Sequence, residues 1–497
     1  MKPNIIFKYF SLFLLLFLPY LLNAQAPKRE FRGVWIATVG NIDWPSRSGL
    51  SATQQQIEFV NKLDFLASNG FNAVIVQIRP ASDAFYPSSL EPWSRYLSGK
   101  QGEAPLPFYD PLAFMVKETH KRNMEFHAWF NPFRALVNSR INPNPANHIT
   151  KTHPQWMIHY GGKSYLDPGI PEARNYVNQV ILDVVKRYDI DGVHIDDYFY
   201  PYKIAGQTFN DSKSYNLYNR GLSLDDWRRD NINKFISAMY LAVKKEKSYV
   251  KVGISPFGIW RNQSKDPLGS RTNGTACYDD LYADVKYWIE QKWLDYVAPQ
   301  LYWEHGHRIA AYDVLVPWWK NICKDRALYI GMGVYRMVDA KTGPWLGKNE
   351  ILNQITTARN FNADGQIAYS LISLQKVAGV LSPTLKLPPY YGNIAIPPTM
   401  PWLGKTAPAA PMANINRQTS KVILSWNTGT TISSNVKYLV YKFNKNEIIN
   451  LENSSKMYVL TQSNSFTDEA EDISNSKYVV TTLDRLWNES KPSEVLE

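Results

Sequence analysis

Cysteine is nearly missing from this chain. Its 497 residues include only Cys277 and Cys323, too few for a disulfide framework or a cysteine metal centre. Cys277 falls in a polar loop and Cys323 in a predicted helix, which favours two isolated thiols over a bridge. After an apolar run from Phe10 to Leu22, no second run is long enough to span a bilayer. No glycine-rich phosphate loop follows any predicted strand, so a doubly wound open sheet lacks support. Lys and Arg outnumber acids, for a formal charge of +11. They form no basic run interleaved with aromatics, which makes nucleic acid a poor partner. The His-x-His pair that metal hydrolases keep on a strand is also absent; the nearest approach, His305-Gly306-His307, lies in a loop.

What is present begins with a leader pattern. Lys2 and Lys8, the apolar run and Asn23-Ala24-Gln25-Ala26 read as a signal peptide over residues 1–26. Cleavage after Ala24 is favoured because Pro27 would follow the alternative cut, and no nearby cysteine can carry a lipid. The mature chain is expected to be exported, to the periplasm or the cell surface, with no later membrane span. Losing Lys2 and Lys8 takes the charge from +11 to +9, which suits acidic polymers or an anionic envelope surface. Aromatics make up 14%, with 16 Trp and 31 Tyr. Flat rings stack on sugar faces, although large cores also consume aromatics.

From Phe31 onward, strand-like runs alternate with helical patterns. The strands are Phe31–Val39, Asn72–Arg79, Glu125–Phe130, Val193–Ile195, Val250–Pro256, Tyr296–Leu301, Leu328–Val334 and Gln366–Leu371. A helix from Ser51 or Thr53 through Ile57, Val60, Leu63 and Leu66 stops at Asn69-Gly70. Others follow at 111–123, 171–186, 224–247, 281–292, 314–324 and 350–361. Eight such units predict a (β/α)8 TIM barrel over residues 27–390. Residues 391–408, rich in proline, read as a linker with few contacts across it. Short alternating runs at 421–426, 437–443, 457–460 and 477–483 predict a small all-β sandwich over 409–497. Its Tyr478–Ser490 stretch resembles the late strands of a fibronectin type III module.

The chemistry concentrates at Asp191-Gly192-Val193-His194-Ile195-Asp196-Asp197-Tyr198-Phe199-Tyr200-Pro201. Asp191-Gly192 reads as a turn into the fourth strand. Alternation sends His194 and Asp196 to one side and Val193 and Ile195 to the other. Acids at the carboxyl end of a buried parallel strand sit where a barrel keeps its active site. Counting by twos on neighbouring strands adds Gln77 and Arg79, then His127, Trp129 and Asn131, then Gln300, Tyr302 and Glu304. Arg134, Tyr198, Trp260, Tyr335 and Arg336 close the other strand ends. Two carboxylates suffice for glycoside hydrolysis, one donating a proton and the other attacking or activating water. Asp196 is read as nucleophile or base with Asp197 beside it, and Glu304, between aromatics, as the proton donor. The substrate-binding candidates are Arg79, His127, Trp129, Asn131, Arg134, His194, Tyr198, Trp260, Gln300, Tyr302, Tyr335 and Arg336. The arginines would fork onto a substrate carboxylate or brace loops against Asp43, Asp83 or Asp167. No cofactor and no metal is expected. Two alternatives stay open: a noncatalytic carbohydrate-binding barrel, or a metal-dependent hydrolase or deacetylase built on His194 and Asp196.

Phe-Arg-Gly-Val-Trp-Ile-Ala-Thr-Val at 31–39, Leu-Asp-Pro-Gly-Ile-Pro-Glu-Ala-Arg at 166–174 and the 191–201 stretch resemble the glycosyl-hydrolase-like 10 family. The resemblance implies a (β/α)8 glycosidase of the bacterial envelope. Some members are similar to enzymes that cut peptidoglycan strands lacking stem peptides, so a polysaccharide is the expected partner. Related glycosidase barrels place a nucleophilic Asp at the end of strand four, where Asp196 stands here, with His194 in a position often held by Arg.

Overall fold

The computed structural model describes residues 26–140, 145–427 and 436–497; the signal-peptide reading lies almost wholly outside them. Eight parallel strands close into a barrel. They are β1 (Phe31–Ile36), β2 (Ala73–Arg79), β3 (Glu125–Phe130), β4 (Gly192–Ile195), β5 (Lys251–Ile254), β6 (Tyr296–Val297), β7 (Ala327–Gly333) and β8 (Gly365–Tyr369). β8 pairs back onto β1 through Phe31–Gly365 and Val34–Ala368. The strands are buried on both faces, which is why they read as continuous apolar runs rather than as alternations. Alternation survives in the packing. Phe31, Trp35, Ile75, Trp129, Tyr296, Tyr329 and Ile367 fill the bore, while Val34, Ile36, Val74, Val76 and Ile78 face the surrounding helices.

The helix α1 (Ala52–Ser68) starts at a capping box, with Ser51 and Gln54 each satisfying the other's backbone N–H. It buries Phe59, Leu63 and Leu66, and the expected stripe is corrected there: Ile57 is exposed because the buried face is set half a turn away. β6 is shorter than the expected 296–301. Pro299 has no N–H to give, and Gln300 makes only single bridges to Phe257 and Gly331. The loop after β3 holds a small antiparallel sheet (134–136, 157–160, 163–166) that the sequence pattern did not reveal.

Two glycines fit the bore because a side chain could not. A Cβ on Gly253 would lie 1.9 Å from the Tyr296 ring, and one on Gly192 2.5 Å from His127 Nδ1. Gly192 is therefore a strand residue that admits a ring, not the turn expected of it.

Beyond the barrel, two three-stranded antiparallel sheets form a separate small all-β unit. One joins residues 412–417, 422–427 and 465–468; the other joins 437–444, 457–461 and 476–483. The few-contacts expectation for the proline-rich segment fails. Ile396 and Met400 are fully buried, and Ile396 exchanges backbone hydrogen bonds with Lys28 and Glu30 at 3.0 Å. Ile396 also packs with Leu439, Tyr441, Phe443, Leu483 and Trp487. Arg485 pairs with Asp189 and Asp191, and Lys28 with Glu489 at 2.7 Å. The unit thus covers the amino-terminal end of the barrel, because apolar and charged groups on both sides match. Both cysteines are buried and unpaired.

Candidate active site

A single file of hydrogen bonds runs along the bore and ends beneath the site. Trp35 Nε1 donates to His194 Nε2 at 3.1 Å. An indole N–H only donates, so the His194 proton sits on Nδ1, facing Tyr296 Oη at 3.0 Å. Tyr296 Oη then donates to His127 Nδ1 at 2.8 Å, and His127 Nε2 donates to Glu125 Oε2 at 2.9 Å. Burial holds His194 far below the usual imidazole range, so it stays neutral. Glu125 also accepts from Lys251 and Trp487. Burial would raise its pKa, but Lys251 and His127 outweigh that and hold it at about 2.

Above this file, at the carboxyl end of β4, Asp196 and Asp197 open into a cavity of about 230 Å³. Trp35, Trp129, Tyr198, Tyr202, Ser255, Gln300, Tyr302, Tyr335 and Tyr369 complete its wall. Asp196 accepts from Trp129 Nε1 and Asn131 Nδ2, each at 3.1 Å, and from the Tyr198 amide at 3.3 Å. Asp197 accepts from the Tyr202 hydroxyl and the Gln300 amide. No cation pairs with either carboxyl among the described residues. Burial, with Asp197's charge adding to it, pushes Asp196 up to about 7. Burial also raises Asp197, against the pull of Tyr202 and Gln300. The pair therefore retains a proton near neutrality, as a buried acid couple should.

The structure gathers Trp129, Tyr198, Gln300, Tyr302 and Tyr335 with Asp196 and Asp197 around one cavity, and sets Asn131 directly behind Asp196. His194 and His127 lie below, with both ring nitrogens of each engaged, which leaves no lone pair for a metal on the neutral His194. Glu304 is outside the lining and accepts from Trp345 Nε1 at 2.8 Å. Arg79 is buried in a fork onto Glu91. Arg134 donates to the Pro80 carbonyl at 3.0 and 2.9 Å and covers the Tyr198 ring at 5.3 Å. Arg336 donates to the Tyr302 carbonyl at 3.2 Å. Trp260 stacks on Trp318 and bonds Asp284 at 3.1 Å, away from the cavity. Asp43, Asp83 and Asp167 bond neighbouring loop amides and hydroxyls. Trp35, Ser255 and Tyr369 were missed; counting by twos along strands one, five and eight would have reached them. Tyr202 sits in a loop and had no periodic signal.

The family model of glycosyl hydrolase-like 10 matches residues 30–344. The chain belongs to this family. Within it, glycosyl hydrolase YngK of Bacillus subtilis is 45% identical over 490 residues, covering 96% of this chain and 94% of that protein. Glycosyl hydrolase DigH of Escherichia coli strain K12 is 41% identical over 335 residues, covering 63% of this chain and 75% of that protein. Among solved structures, the catalytic domain of a beta-amylase from Paenibacillus polymyxa overlaps at a TM-score of 0.45 with 12% identity, over 70% of this chain and 94% of that one. An overlap that loose adds nothing to the barrel already described. This glycosyl hydrolase-like 10 chain is a TIM barrel of glycoside-hydrolase type with small antiparallel sheets at its carboxyl-terminal end.

Proposed function

We propose that this chain is an exported glycoside hydrolase that cleaves O-glycosidic bonds in an aminosugar-containing polysaccharide, such as peptidoglycan glycan strands free of stem peptides. The observation that carries the reading is Asp196 beside Asp197, unpaired by any cation among the described residues, in an aromatic-walled cavity at the carboxyl end of the barrel. Buried carboxyls that retain a proton near neutral pH suit proton transfer to a leaving oxygen. Indole and phenol faces suit sugar rings. Both relatives above carry the name glycosyl hydrolase, and the leader pattern of residues 1–26 supports export. The small β unit is read as a fibronectin type III-like module. It acts as a docked cover for the barrel rather than a tethered binder.

The test is release of new reducing ends from peptide-free peptidoglycan strands by the purified chain. Release that survives chelator supports the carboxyl mechanism. Binding without release across a broad glycan panel would instead make it a carbohydrate-binding barrel, and loss of release on chelation would revive the metal reading.

A further inference from the structure

Hydrolysis at an anomeric carbon needs a proton donor on one side and a nucleophile on the other. Acting residues of that kind flank the sugar and stand at least ~5 Å apart. Among the described residues, the only acids lining the cavity are Asp196 and Asp197, consecutive residues at the end of one strand. Their Cα atoms are only ~3.8 Å apart, so both carboxyls rise from one part of the cavity wall. Glu304, the other sequence candidate, is turned to Trp345. Asp43 is occupied by the Ala37 and Ile372 amides and the Ser370 hydroxyl, at 2.7, 2.7 and 2.8 Å. The cavity thus offers an acid and a second carboxyl beside it, with no other carboxyl in its lining among the described residues.

Resting on the glycosidase reading, we infer that the substrate brings its own nucleophile: the cavity takes a 2-acetamido sugar, whose acetamido oxygen attacks the anomeric carbon while Asp197 protonates the leaving oxygen and Asp196 holds the acetamido N–H. The hydrogen bonds divide these roles. Asp196 is held by three N–H donors, from Trp129, Asn131 and Tyr198. None of them can accept a proton, so these bonds favour the charged form and partly offset the burial that raises Asp196. Asp197 takes a single side-chain N–H, from the Gln300 amide, and its other side-chain partner, the Tyr202 hydroxyl, both donates and accepts and tolerates either state. The pair shares one proton to near neutrality; an acetamido N–H arriving on Asp196 stabilises its charge and leaves the proton on Asp197.

The balance is closed. The C1–O bond to the leaving sugar breaks, its electron pair stays on that oxygen, and the Asp197 proton joins it. The acetamido oxygen bonds C1 to form a cyclic oxazolinium. Water then attacks C1, returns a proton to Asp197, and the C1–O bond to the acetamido group breaks. Two displacements give net retention, and nothing is oxidised or reduced.

The full chain is to be assayed on peptide-free glycan strands, on the same strands after N-deacetylation, and on an activated aryl 2-acetamido glycoside. Proton NMR follows the anomer first released. The inference expects cleavage of N-acetylated strands with retention, at least about a hundredfold loss on deacetylated strands, and competitive inhibition by a cyclic thiazoline analogue of the acetamido sugar. Asp197→Asn should lose about a hundredfold or more on strands, the scale of acid–base catalysis, yet keep much of its rate on the aryl glycoside, which needs no proton. Asp196→Asn should fall on both, and Glu304→Gln on neither. Equal rates on deacetylated strands, inversion, or a hundredfold loss in Glu304→Gln would overturn the inference while leaving a glycosidase. Failure to cleave any glycan would remove the glycosidase reading itself.

Discussion

Asp191 and Asp196 bracket the same four-residue strand, and the protein treats them in opposite ways. Asp191, at the amino end of β4, accepts from the Phe126 amide at 2.8 Å, His120 at 2.7 Å and Arg485 at 3.2 Å. Burial would raise its pKa, but those partners hold it far below the usual carboxylate range. Asp196, at the other end, has neutral donors only, and burial together with Asp197 carries it up to about 7. One end of the barrel neutralises its charges and is roofed by the β unit. The other keeps an acid pair that no salt bridge neutralises among the described residues, and leaves it open to the cavity. The first end is built for stability, and the second is where the proposed chemistry would act.

The largest effect expected from this contrast comes from deleting residues 405–497. The barrel would lose Arg485 and Trp487 and uncover Glu125 and Lys251, so the truncated chain should be insoluble or melt well below the full chain. A soluble truncation with unchanged Tm and turnover would break the comparison. Next, Asp191→Ala removes one partner of a buried ionic cluster and should cost about 3–5 kcal/mol in denaturant unfolding. Asp196→Asn should do the reverse: reducing-end release falls by at least about a hundredfold, while Tm at pH 8 holds or rises. A variant that is both inactive and unfolded would make Asp196 a structural residue.

The pH dependence sharpens the same contrast. Asp196 and Asp83 are raised to about 7 and Asp167 to about 6, each chiefly by burial. Unfolded carboxyls titrate near ~3.9, so between about pH 4 and 7 the folded chain holds protons the unfolded one lacks. The stability these groups contribute is present below that window and is lost as pH rises through it. Glu125 and Asp191, both depressed, act oppositely: their contribution is present above about pH 4 and is lost as pH falls further. Unfolding titrations should show both limbs, and Asp83→Asn should flatten the upper one. Turnover should decline above about pH 7, where the Asp196–Asp197 pair loses its last proton. The smallest effect is expected from Trp35→Phe, which takes the only N–H from His194 Nε2. Stability should drop by about 1 kcal/mol, with a larger rise in KM than fall in kcat.

Much of this molecule can be read from its residues in order. Continuous apolar runs, the capping residue Ser51, and Asn69-Gly70 mark the elements, because local backbone preference and burial on both faces act within a few residues of sequence. Strand alternation likewise carries Asp196 and Trp129 to one end of the bore. What the sequence determined by itself, then, is the barrel and the placing of Asp196 and Asp197 at the carboxyl end of its fourth strand. Only tertiary structure decided that Glu304 would turn to Trp345, that Arg79 would lock onto Glu91, that Tyr202 would reach Asp197 from a loop, and that a proline-rich segment would be buried. Those outcomes depend on which groups from distant segments compete for the same donor or the same apolar surface. No local period records that competition.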